Sequence, residues 1–285
     1  LIILDNNISF LTIVVLYKIS VKGSASLFTL NKAAVIANRT IEVLVYDNSP
    51  KPDSDINNSL SCYSNIIINY VSDTSNKGLS YAYNYGANLA REKNYNWLLL
   101  LDQDTRVSSE YLNIIYKEVP QNPLIKLFCP KLYLKDGSLF SPCRYFFKRG
   151  FQLKEIKEGI NSLKQLSPVN SGMLISTDAF FEAGGYNEKV KLDFSDFQFI
   201  ERFKRKYDNF FVLKTSFLQD FSNDEVDPII LNNRFKNFCE SAKNCETSFA
   251  VEKLQYFFVV LARAAMLTKR SGSLIFLNTF RKYYL

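Results

Sequence analysis

Apolar runs alternate with amphipathic stretches through the first part of the chain. Ile8 to Tyr17 is apolar and β-branched, long enough for one buried strand. Ile41 to Tyr46 (IEVLVY), Ile66 to Val71 and Trp97 to Leu101 (WLLLL) repeat the pattern. Between them, Leu27 to Ala37 sets Leu27, Leu30, Ala34 and Ala37 on one helical face, and Leu79 to Arg91 reads as a second helix. Continuous apolar strands separated by helices predict a parallel sheet covered on both faces. Ligands of such sheets gather at the carboxyl ends of the strands. Polar clusters fall there: Asp47-Asn48-Ser49, Asn76-Lys77-Gly78 and Asp102-Gln103-Asp104.

The second half is less regular. Residues 128–150 read as aromatic-rich strands and loops, and Val169 to Ser176 as a short strand. Gly184-Gly185 marks a tight turn. Asp193 to Lys206 predicts a helix opening with two carboxylates, and Phe210 to Leu213 a late strand. From about residue 230 the pattern is helical, which divides the chain into an α/β domain (1–230) and a C-terminal helical basic and apolar segment (231–285).

Composition narrows the chemistry. The 285 residues include no histidine, which excludes Ser-His-Asp triads, Cys-His dyads and histidine-ligated zinc. Acid–base work therefore falls to carboxylates, or less often to Lys or Tyr. The five cysteines form no C-x-x-C pair and predict buried, reduced thiols in a cytoplasmic protein. Neither a signal peptide nor a spanning helix is expected. Most of the net charge of +7 sits in residues 231–285, where nine Lys/Arg and three Glu give 9 − 3 = +6.

Asp102-x-Asp104 leads the candidates. Two oxygen-bearing side chains at a strand end suit a hard divalent cation, which neutralises a departing diphosphate. A solvated turn with helix-capping aspartates is the bland alternative. Asp193 and Asp196, three apart on the expected helix, share a face and point into one cleft on this reading. A carboxylate there can take a proton from an acceptor hydroxyl, and Asp196, anchored by Phe197, Phe199, Ile200 and Phe203, is the expected base. The competing explanation is a favourable helix-dipole interaction. Gly78 would let the backbone approach a phosphate or ribose, and Asp47 would accept from a nucleobase N–H or simply cap an Asx turn.

TIVVLYK (12–18), VLVYDNS (43–49), NKGLSYAYNYG (76–86), WLLLLDQDT (97–105), NSGMLIS (170–176), GGYNE (184–188) and DFSDFQFIERFKRK (193–206) follow one another in order. The set resembles family 2 glycosyltransferases, closest to a bacterial rhamnosyltransferase-like branch. The resemblance implies an α/β GT-A fold, a Rossmann-like mixed sheet with helices on both faces, followed by the C-terminal helical segment. It implies an inverting transfer of a sugar, rhamnose from dTDP-rhamnose among the candidates, onto a growing surface polysaccharide or lipid-linked glycan such as O-antigen. The donor would be a dTDP- or UDP-sugar, with Mg2+ or Mn2+. Tyr17 and Asp47 would line the base pocket, Asn76 and Gly78 would lie along the donor, and Asp102 with Gln103 would meet the ribose or diphosphate. Asp104 would hold the metal, Ser171 and Gly172 would border sugar and acceptor, and Asp196 would be the base. Relatives carry a histidine after the late strand; here Asp220 is the substitute metal ligand. A degenerate scaffold and a sugar-nucleotide nucleotidyltransferase are the rival readings; the latter lacks its Gly-rich basic N-terminal loop.

Leu254 to Leu267 is apolar with an internal Arg263, too short to span a bilayer. It predicts a core or homodimer helix, with a peripheral contact on the inner face of the plasma membrane as the alternative, supported by Lys269, Arg270, Arg281 and Lys282. The basic residues form no nucleic-acid-binding motif.

Overall fold

The computed structural model describes residues 8–219 and 227–285. Along the chain run β1 (Phe10–Leu16), α1 (Ala25–Ile36), β2 (Ile41–Asp47), α2 (Ile56–Leu60), β3 (Ile66–Ser72), α3 (Leu79–Glu92), β4 (Trp97–Asp102) and β5 (Thr105–Arg106). Next come α4 (Tyr111–Gln121), β6 (Leu127–Tyr133), β7 (Leu139–Phe146), β8 (Arg149–Leu153), β9 (Gly159–Ser162), β10 (Leu166–Ser167) and β11 (Leu174–Ser176). The order closes with α5 (Thr177–Glu182), α6 (Ser195–Phe203), β12 (Asn209–Gln219), α7 (Pro228–Asn244), α8 (Ala250–Ser271) and α9 (Ile275–Tyr283).

The four expected apolar strands pair in parallel, in the order β3-β2-β1-β4. Every residue of β1 is buried, because helices cover both faces. One core lies between the sheet and α1 with α4; the other lies between the sheet and α3, α5 and α6. Gly86 makes the second layer thin: a Cβ there would come within 2.5 Å of Ile13 Cδ1. Ser24 caps α1 by accepting from the Leu27 amide at 3.3 Å.

Past β4 the sheet turns mixed. β11 runs antiparallel to both β4 and β6. Only Leu174–Ser176 of the expected 169–176 strand pairs, because Asn170 to Met173 form a turn, closed by the Met173 amide donating to the Asn170 carbonyl. The late strand extends over eleven residues, since β12 finds partners in β6, β9 and β5 in succession. Four cysteines are buried, but Cys62 is exposed, which corrects the expectation of five buried thiols.

Helices α7–α9 bury their own apolar cluster, built around Phe235, Tyr256, Val260 and Phe276, and take in Val190 and Phe194 from the preceding body. Lys148, 4% exposed, pairs with Glu201 of α6 at 2.6 Å and Glu252 of α8 at 2.8 Å, clamping helices to body. One face of the 254–267 stretch is core (Tyr256, Val259, Val260, Ala264, Leu267), while Val251, Leu254, Phe258 and Met266 are exposed on α8. Among the described residues, no helix is long and apolar enough to cross a membrane.

Candidate active site

β4 delivers the acidic triplet. Leu98 to Leu101 are fully buried, so Asp102 is the first residue of the strand to reach the sheet's rim. The turn beyond it is fixed from four directions. The Ser26 hydroxyl of α1 donates to the carbonyls of Asp102 and Thr105. The Asp102 amide donates to Ser171 Oγ at 3.1 Å, and Ser171 Oγ lies 2.5 Å from Thr105 Oγ1. Thr105 donates to Gln219 Oε1, and Gln219 Nε2 donates to Asp104 Oδ1 at 2.7 Å. Ser26, Thr105, Ser171 and Gln219 are all buried. Buried polar groups satisfied this completely hold a turn rigidly.

The carboxyl groups themselves are electrostatically strained. Burial pushes Asp102 up to about 7, and the neighbouring charges of Asp104 and then Asp196 add to the effect. The Tyr83 hydroxyl, 3.3 Å from Oδ1, opposes it. Burial likewise pushes Asp196 up to about 6, against the Phe197 amide that donates to its Oδ1 at 2.8 Å. Asp196 sits in the first turn of α6, whose Phe199, Ile200 and Phe203 are buried and whose Phe197 stacks on Tyr145 at 4.7 Å. Tyr186 stacks on Phe199 at 4.6 Å, and Asp102 and Asp196 both act on Tyr83 and Tyr186. Acids from β4 and α6 therefore converge on one aromatic-walled spot.

Other expected residues are placed differently. Asp193 precedes α6 rather than opening it: the helix starts at Ser195, and Phe194 is left-handed with φ 68°. The shared-face argument for Asp193 and Asp196 therefore fails, because helical spacing does not apply across that residue. Asp193 is half-buried, with its Oδ2 enclosed, and interacts electrostatically with Arg234 and Arg263 of the C-terminal helices. Gly78, at φ 98°, approaches the chain's own Lys191 and no ligand is needed to explain it: a Cβ would sit 2.8 Å from the Lys191 carbonyl oxygen. Asn76 is exposed beside it, with φ 50°.

Asp47 is fully buried at the end of β2. It accepts from the Ser49 amide at 2.8 Å, an Asx turn, and from the Tyr70 hydroxyl at 2.6 Å. Tyr17, 42% exposed, follows β1; its amide donates to Gln103 Oε1 at 2.8 Å, which ties the triplet to the β1 end. Between the β1 and β2 ends opens a cavity of about 550 Å³ lined by Lys18, Ser49, Lys51 and Asp53 among others. Ser171 and Gly172 are buried behind the triplet; the Gly172 amide donates to the Leu100 carbonyl at 2.8 Å. Asp220 lies outside the described residues.

Sequence reasoning missed Gln219, Ser26 and Thr105. Nothing local marks Gln219 or Ser26.

The glycosyl transferase family 2 model matches residues 28–176, more than half of the chain. The chain belongs to glycosyl transferase family 2. The dTDP-rhamnosyl transferase RfbF of Shigella flexneri is 26% identical over 122 residues, 42% of this chain and 41% of that protein. The match thus spans less than half of that relative. Among solved structures, GalNAc-T7 with UDP, GalNAc and Mn2+ superposes with a TM-score of 0.57 at 10% identity, covering 98% of this chain and 57% of that one. Staphylococcus aureus TarS 1-349 gives 0.53 at 13% identity, over 97% of this chain and 90% of that one. The mannosyltransferase PcManGT of Pyrobaculum calidifontis, in complex with GDP-Man and Mn2+, gives 0.53 at 12% identity, over 93% and 73%. These likenesses establish the GT-A glycosyltransferase fold. The family match ends at Ser176, before α6, so Asp196 is placed by the structure of this chain alone.

Proposed function

We propose that this family 2 enzyme transfers rhamnose from dTDP-rhamnose, with inversion, to a hydroxyl of a bacterial surface polysaccharide or lipid-linked glycan. The observation that carries the mechanism is that Asp102 feels the charges of both Asp104 and Asp196, which puts acids of β4 and α6 near one another. The partial likeness to RfbF supports the donor.

Asp196 takes the acceptor proton. Its raised pKa of about 6 makes it a stronger base than an ordinary carboxylate while leaving it mostly ionised at neutral pH. Tyr83 and the buried turn orient Asp102 toward the donor side. The cavity between the β1 and β2 ends is the proposed place of the nucleotide, with Tyr17 at its edge and Lys18 and Lys51 available to its anionic groups. Asn76 and Gly78 flank the donor from the β3 side, and Asp47 supports the pocket through the Asx turn.

Asp102 and Asp104 fit a hard divalent cation, Mg2+ or Mn2+. Two mutually repelling carboxylates are relieved by a cation, and their donor atoms are oxygen. Among the described residues no group of three or more such side chains is assembled, and Asp220, the expected third ligand, lies outside them. When bound, the cation offsets charge building on the leaving diphosphate. Gln219 supplies an N–H to Asp104 and so steadies the carboxylate, while Asp220 remains the proposed substitute for a histidine ligand.

The exposed Val251, Leu254, Phe258 and Met266, beside a +6 segment, support a peripheral seat on the anionic inner face of the plasma membrane. That seat would bring a lipid-linked acceptor to the catalytic rim of a cytoplasmic enzyme.

The deciding experiment incubates the protein with Mn2+, dTDP-rhamnose and a panel of glycan acceptors. Release of dTDP with a product of opposite anomeric configuration, observed by NMR, is expected; turnover only of another nucleotide sugar rejects the donor assignment. Retained configuration rejects Asp196 as the single base of an in-line displacement.

A further inference from the structure

Three observations join the C-terminal helices to the base. First, the residue before α6 is Phe194, left-handed at φ 68°, a conformation costly for a bulky side chain. Its ring is held in the helical cluster, 4.6 Å from Phe238 of α7 and 5.5 Å from Tyr256 of α8. Second, Arg263 of α8 lies over Phe238 at 4.9 Å, so guanidinium, Phe238 and Phe194 form one stack ending at the base loop. Third, Asp193 is half-buried beside that stack, with its Oδ2 fully buried. Its Oδ2 and the Arg263 Nε both lack hydrogen-bond partners, while Asp193 interacts electrostatically with Arg263 and Arg234.

A carboxylate oxygen buried without a hydrogen bond is tolerated only where positive charge compensates it. Both nearby cations come from the C-terminal helices: Arg234 from α7 and Arg263 from α8. Asp193 and Phe194 are thus held by the helices on one side and are bonded to α6 on the other. Two residues further on is Asp196.

We infer that Arg263 is a positioning residue for transfer, holding the Asp193–Phe194 strap that sets the entry of α6 and hence the place of the Asp196 carboxylate. The inference rests on Asp196 as the base. It makes the C-terminal helices a working part of the active site, in addition to any contact they make elsewhere. Arg263 acts through charge on Asp193 and through the aromatic stack on Phe194; Arg234, exposed at the surface, contributes charge alone.

The test compares Arg263→Met, Arg263→Lys, Asp193→Asn and the double variant Asp193→Asn/Arg263→Met, with Asp196→Asn alongside. Steady-state transfer, nucleotide affinity by calorimetry and thermal unfolding are measured for each. Arg263→Met is expected to lower kcat at least tenfold with dTDP affinity within twofold of native, and Arg263→Lys to recover part of the loss. The double variant should lose no more than the worse single one, because both changes break one link. Native kcat in Arg263→Met, or losses that multiply in the double variant, overturns the inference. Should Arg263→Met fail to fold, Arg234→Gln decides: a reduced kcat at native melting temperature supports the link, and native kcat overturns it. An active Asp196→Asn overturns the base assignment instead, whatever Arg263 does.

Discussion

Gln219 donates its side-chain amide to Asp104 at 2.7 Å, from 115 residues further along the chain. The contact exists because the end of β12 pairs with β5, setting Gln219 opposite Thr105. The same amide accepts from Thr105, so its orientation is fixed: an oxygen toward Asp104 would repel the carboxylate.

Gln219→Ala should therefore loosen the acidic turn. It removes the Gln219 acceptor of the Thr105 hydroxyl and the N–H held on Asp104, leaving Ser171 Oγ as the hydroxyl's partner, at a cost of about 1–3 kcal/mol. Thermal unfolding should register that loss, and the Mn2+ concentration needed for half-maximal transfer should rise. Unchanged metal dependence would show that Asp104 holds its place without Gln219.

Asp104→Ala and Asp196→Asn should fail in different ways. Each should lower transfer, Asp196→Asn by on the order of 10²–10⁴-fold through loss of the base. Calorimetry with dTDP and Mn2+ separates them. Asp196→Asn should keep native nucleotide affinity, whereas Asp104→Ala should lose its metal-dependent part.

The raised carboxyl groups set two pH dependences. Transfer should fall as pH drops through about 6, where Asp196 takes up a proton. Stability runs the other way. A carboxyl group whose folded pKa exceeds its unfolded value binds protons more tightly when folded, so stability declines as pH rises from 3.8 through about 7 for Asp102. Without metal, Asp102→Asn should thus raise the melting temperature at pH 8, by roughly 2–4 °C for each kcal/mol relieved. Equal melting of the two proteins at pH 8 would contradict burial as the cause.

Gly78→Ala should destabilise the chain. The residue would need φ 98° and its Cβ would meet Lys191 backbone atoms at 2.8–3.0 Å. Strain of this kind costs about 1–3 kcal/mol before any shift of α3. Chemical denaturation gives the value directly; a neutral substitution would mean that the Lys191 segment can move away.

Membrane seating is testable through α8. Leu254→Ser with Phe258→Ser should reduce co-sedimentation with anionic vesicles without lowering the melting temperature, since both side chains are exposed. Binding should weaken as salt rises, because screening shortens the reach of the basic segment. Dimer loss with unchanged vesicle binding would assign the face to a second copy.

The parallel half of the sheet was legible because its signals are local. Uninterrupted apolar runs mark strands buried on both faces, and the polar residues ending them mark the rim. Asp102, Asp104 and Asp196 could be named from such signals and from motif order. The close approach of Gly78 to Lys191 was not legible, since no local pattern announces a contact across more than a hundred residues. The Asp193–Asp196 spacing misled because it assumed continuous helix, which the left-handed Phe194 interrupts.

By itself, the sequence determined the strands, the acidic triplet at a strand end and, through its lack of histidine, that the proposed site rests on carboxylates. Tertiary structure decided the rest. It brought Gln219, Ser26 and Ser171 to the triplet, turned Asp193 toward Arg263, and raised the Asp102 and Asp196 pKa values by burial. The reason is physical: periodicity and strand-end chemistry are written in neighbouring residues, whereas burial and through-space charge exist only once distant segments pack.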